Sequence, residues 1–213
     1  MKVLKLVALA VAMASMALAM PIVGLYSTGV GQTPGNAELN WTIGAGGTPY
    51  VTQTSGFPFP VWVANSPGSQ WISPQSDYTS IGSDPAGTYT YSLSFNIGAG
   101  YDPSTAWMQY SLASDDSVVG ITLNGSPISG VGATLGSMSG PYMVNSGFSS
   151  GVNEIVVEVL NGSATSGNPT GFRFEVLDSN IEALQGGEVP EPATFALVGL
   201  ALAALPVIRR RRG

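Results

Sequence analysis

Two adjacent carboxylates, Asp115 and Asp116, stand just ahead of a β-branched run, and the chemistry open to them is oxygen ligation of Ca2+. Calcium wants about six to eight oxygens, so a pair is a fraction of a set, and on a strand the two side chains diverge. Their plainer use is to cap amides in a turn. Trp62, Trp71 and Trp107 could stack on sugar rings, and Trp107 is best placed, because its phase sets it opposite Met108 and Tyr110. The plainer use of each indole is burial. Arg173 could hydrogen-bond a ligand hydroxyl or carboxylate, or pair with Glu154, Glu158 or Glu175 on neighbouring strands or its own. Two carboxylates would suffice for glycoside hydrolysis. No acid here is framed by an aromatic cleft signature, so the reading is non-enzymatic, with a glycosidase as a remote alternative.

What is missing narrows the field. The chain has no cysteine and no histidine. Disulfides, thiol nucleophiles, zinc-thiolate sites, imidazole ligands and Ser-His-Asp triads are therefore excluded. The seven basic residues are Lys2, Lys5, Arg173 and Arg209–Arg212. Between Met20 and Glu188 one arginine faces twelve acids, a net charge of −11. Such a surface repels nucleic acid and anionic lipid.

The elements that must position these residues read as strands. Tyr89–Ile97 alternates strictly: Tyr89, Tyr91, Leu93, Phe95 and Ile97 lie on one face, with Thr90, Ser92, Ser94 and Asn96 on the other. Thr105–Ala113 sets Ala106, Met108, Tyr110 and Leu112 against Trp107, Gln109 and Ser111. Val118–Leu123 runs into Asn124-Gly125, the signature of a type I′ hairpin. Asn153–Leu160 and Gly171–Leu177 alternate again, and shorter signals fall at Glu38–Ile43 (Leu39, Trp41 and Ile43 inward), Thr48–Gln53 and Tyr142–Val144. Phe57 to Ala64 is apolar, but its prolines restrict it to an edge or extended segment. No long amphipathic helix is present in this part. The expected fold is all-β, an antiparallel β-sandwich at 38–178, after a flexible lead-in at 20–37 and before a polar linker at 179–188.

Both ends carry targeting patterns. Met1–Ala19 has a positive n-region, an apolar run from Leu6 to Leu18 and an A-x-A site at Ala17–Ala19 ahead of Met20, which predicts a secretory signal peptide. It implies the Sec translocon and signal peptidase as partners. At the other end, 189–213 has three blocks: Val189-Pro190-Glu191-Pro192, an uncharged run over 193–208, and Arg209-Arg210-Arg211-Arg212. A helix over that run spans roughly 24 Å, short for a hydrocarbon core of about 30 Å. The arginines place the C-terminus in the cytoplasm, so everything between the two ends is exported.

The three-part order resembles the PEP-CTERM sorting domain of Gram-negative bacteria. That resemblance implies processing near 190–192 by an exosortase, a transmembrane helix at 193–208 and a basic stop at 209–212. It also implies transient anchoring in the inner membrane, then the cell envelope or the extracellular exopolysaccharide and biofilm matrix. The stretch from Trp71 to Val176 is similar to the galactose-binding-like jelly roll. Trp107–Leu112, Ser114-Asp115-Asp116, Leu123-Asn124-Gly125, Gly151-Val152-Asn153 and Gly171-Phe172-Arg173 carry that likeness. It implies a carbohydrate-binding alternative, Ca2+-assisted through Asp115 and Asp116, with Trp71, Trp107 and Arg173 as ligand contacts. No other cofactor is implied.

Overall fold

The computed structural model describes residues 19–78, 84–162 and 168–184. Every regular element among them is a strand: β1 Ala19–Met20, β2 Trp41–Ile43, β3 Tyr50–Val51, β4 Ile72–Ser73, β5 Gly87–Ile97, β6 Tyr101–Asp115, β7 Ser117–Leu123, β8 Ser126–Pro127, β9 Ser139–Val144, β10 Gly151–Asn161 and β11 Gly171–Ala183. They form two antiparallel sheets. One is ordered β3-β4-β11-β6-β9, with β1 also on β11; the other is β2-β5-β10-β7-β8. Among the described residues no helix is long and apolar enough to cross a membrane. Ala17, Val189–Pro192, the apolar run and Arg209–Arg212 lie outside the described residues.

Period-two patterning builds the interior. On β5, Tyr91, Leu93, Phe95 and Ile97 are buried, and their register partners on β10 include Ile155 and Val157. β6 contributes Ala106, Met108, Tyr110 and Leu112, and β11 contributes Phe172 and Phe174. Trp41 from β2 packs at 5.5 Å from Phe172 and 5.3 Å from Phe174, while Tyr110 stacks on Phe174 at 4.7 Å. Burying side chains of this size contributes about 1.5–3 kcal/mol each. The Asn124-Gly125 turn has φ of 52° and 75°, the left-handed pair a type I′ hairpin needs. Asn124 also accepts from the Glu154 amide (2.9 Å) and donates to Asn153 Oδ1 (2.8 Å), locking the hairpin to β10.

Three segments depart from the sequence expectations. The lead-in is not loose: Ile22 and Leu25 are buried in the core, and Thr28 Oγ1 donates to the Gln70 carbonyl (2.6 Å). Leu39 is not inward but 80% exposed, and its neighbour Glu38 is buried instead. The Glu38 carboxylate accepts from the amides of Gly29 (2.8 Å), Asn40 (2.8 Å) and Trp41 (3.3 Å), folding the chain back so that β2 starts only at Trp41. Finally, β11 runs on to Ala183 through buried Ile181, with Met20 and Ala19 paired beside it, so the first part of the expected linker is strand.

Candidate functional site

A sheet with one face on the core leaves its other face to solvent or to a covering segment. The outer face is covered where Ala113 of β6 lies beside Gly171 and Arg173 of β11. The chain leading from β3 to β4 turns tightly after Phe57 and lays Trp62 and Trp71 over Ala113, with Tyr78 beside them, as a small second core. The two indoles stack at 4.3 Å. Gly171 at the start of β11 is what lets Trp62 lie so close, since any Cβ there would collide with the indole ring.

Arg173 fastens this cover. It is outward-facing in strand phase yet buried, because the cover closes over it. Its Nη1 donates to the Ala64 carbonyl (2.6 Å), Nη2 to Ser66 Oγ (2.7 Å) and Nε to Ser69 Oγ (2.7 Å). Glu175 on the same strand completes the set, with Oε2 at 3.3 Å from Nη2 and 2.8 Å from Ser69 Oγ. Desolvation pulls the guanidinium pKa down while Glu175 holds it up. Arg173 therefore spends its donors inside the protein, and a ligand contact is not its place here.

The other residues singled out from sequence divide similarly. Trp71 is buried, its Nε1 donating to the Val63 carbonyl (2.8 Å), so it offers no stacking face. Trp107 is half-buried on the opposite side of β6 from the core, paired in register with Asn180. Asp115 is buried and accepts from Trp62 Nε1 (2.7 Å), and Asp116 Oδ2 accepts from the Gly162 amide (2.7 Å). Burial pushes the Asp115 carboxyl up to about 6, opposed by the Trp62 bond and reinforced by neighbouring Asp116. The two carboxylates thus accept from donors distant in the chain rather than from amides of their own turn, and among the described residues no three metal-ligating side chains gather.

A cleft of about 730 Å³ opens beside the cover. Phe59, Trp62 and Asn65 of the cover line it, along with Thr54, Gln70 and Gly136. Pro34 and Pro60 complete an apolar rim, and none of the lining side chains is ionisable. Asn65 Oδ1 accepts from the Trp71 amide (2.9 Å), while its Nδ2 is buried with no partner among the described residues. Sequence reading missed this cleft because three segments far apart in the chain compose it. The Phe59-Pro60-x-Trp62 cluster was the signal available.

Residues 188–212 match the PEP-CTERM protein-sorting motif. The chain carries a PEP-CTERM sorting signal. A PEP-CTERM tail marks an exported protein with a membrane-anchored sorting signal, and an exosortase is its processing partner. No curated protein and no solved structure matches the chain.

Proposed function

We propose that this PEP-CTERM protein is a non-enzymatic component of the cell envelope or extracellular matrix, with a structural or adhesive role in the exopolysaccharide layer. The observation that carries the reading is the sorting motif at 188–212, downstream of an acidic all-β unit. In this scheme the Sec translocon and signal peptidase handle the N-terminus, and cleavage follows Ala19. The basic stop holds the C-terminus inside while the strands fold outside. Exosortase processing near 190–192 then releases the sandwich with its net charge of −11, a charge that keeps it away from nucleic acid.

A carbohydrate-binding role is the second reading, favoured by the neutral aromatic and amide cleft. The galactose-binding-like jelly roll is its fold. In support, β5, β6, β7, β9, β10 and β11 alternate between the two sheets, as successive jelly-roll strands do.

Fractionation of cells producing the full chain tests the envelope or matrix assignment. The protein is expected in the envelope or matrix fraction, and changing Pro190-Glu191-Pro192 to alanines is expected to strand it in the inner membrane. Equal distribution of the two forms contradicts the reading.

A further inference from the structure

We infer that the cleft between the cover and the Gly136 loop is a binding subsite for an uncharged saccharide. This rests on the matrix reading above, and it moves the ligand contacts away from Trp71, Trp107 and Arg173. Volume, charge and polarity carry it together.

About 730 Å³ falls in the range of small-molecule pockets, roughly 300–1,000 Å³. With no ionisable side chain in the lining, a charged group entering the cleft would lose hydration and gain no partner. Polyanions are disfavoured further by the excess of twelve acids over one arginine between Met20 and Glu188. A cation is drawn to such a protein but finds no carboxylate in this cleft. The occupant is therefore neutral.

Its surface must also be mixed. Phe59 lines the cleft half-buried, held edge-on to Trp62 at 6.1 Å, so part of its ring remains for an apolar face. Gln70 Nε2 is already spent on the Gly29 and Gln32 carbonyls, so the polar side chains left to an occupant are Thr54 and Asn65, whose buried Nδ2 lacks a partner among the described residues. A hydrocarbon ligand would leave these groups desolvated and unpaired. A pyranose offers both a C–H face for the ring and hydroxyl oxygens for the amide.

The site is built rather than accidental. Arg173 holds the Ala64 carbonyl next to Asn65, and the Trp71 amide fixes the Asn65 oxygen. The wall is thus set before any ligand arrives, which lowers the ordering cost of binding.

Filling the cleft tests the assignment without removing a contact. A Cβ at Gly136 meets nothing within 4 Å, and its φ lies outside the left-handed region. The full chain in mild detergent, its G136W variant and T88W (a tryptophan on the exposed outer face of β5) are titrated with cellohexaose, dextran and alginate. The expected result is binding to a neutral probe, weakened at least about tenfold in G136W and unchanged in T88W. Thermal melts that coincide show that the variants are folded. Neutral-probe binding that G136W leaves intact, no binding to either neutral probe, or preference for alginate overturns the cleft assignment. Cell fractionation of the same chain reports separately on the matrix reading: G136W found there without glycan binding leaves that reading standing.

Discussion

Arg173 Nη1 donates a 2.6 Å hydrogen bond to the carbonyl of Ala64, across 109 residues of chain. That bond joins the outer face of β11 to the wall of the cleft. It explains why the one arginine between Met20 and Glu188 is buried, and why the segment around Trp62 and Trp71 is fixed in place.

Replacing Arg173 with methionine keeps an apolar stem and deletes the clamp. The Ala64 carbonyl and the Ser66 and Ser69 hydroxyls each lose a donor, and Glu175, 24% exposed, keeps its charge without a counterion. Stability is expected to fall by about 2–4 kcal/mol in urea unfolding, with part recovered in the R173M/E175Q double variant. A loss under about 0.5 kcal/mol, the scale of ordinary surface substitutions, contradicts the clamp.

Gly171→Ala tests the seat of the cover. The added methyl collides with the Trp62 ring, so either the indole or β11 must shift. Overpacking of this kind costs about 1–3 kcal/mol. Tryptophan emission is expected to move to the red as Trp62 is displaced; an unchanged spectrum and unfolding midpoint contradict the packing.

Asp115 carries a pH dependence opposite to that of a salt-bridged carboxylate. Its folded pKa is raised from 3.8 to about 6, so over that window the folded chain binds more proton than the unfolded one. Its contribution therefore falls as pH rises from 3.8 to 6. Asp115→Asn keeps an acceptor for Trp62 Nε1 and removes the charge beside Asp116. The stability difference, variant minus parent, is expected to grow from pH 4 to pH 7, reaching about 1 kcal/mol in favour of the variant. Urea midpoints at each pH measure it, and a difference that stays flat or shrinks contradicts the assignment.

The long strands were legible because alternation is a local property. Tyr91, Leu93, Phe95 and Ile97 point inward as their spacing requires, and Asn124-Gly125 makes the turn its side chains favour. Leu39 misled because alternation assumes the strand already exists. There the buried carboxylate of Glu38 gathers amides from both sides and delays the strand to Trp41. The pairing of Arg173 with Glu175 and the burial of Trp71 were among the uses the sequence offered, but their partners in the cover were not legible. Period two separates the two faces of a strand, but it does not say that a distant loop will cover the outer one. The cleft depends on that covering, so beyond the Phe59-Pro60-x-Trp62 cluster its lining from Pro34 to Gly136 had no local signature, whereas the sorting tail is contiguous and could be read directly.

Mass spectrometry of the chain recovered from outside the cell tests the central claim most directly. If the PEP-CTERM tail is a transit handle, the recovered protein ends near Pro190–Pro192 and lacks 193–213. Recovery of peptides that retain Arg209–Arg212 would contradict it and make the tail a permanent anchor.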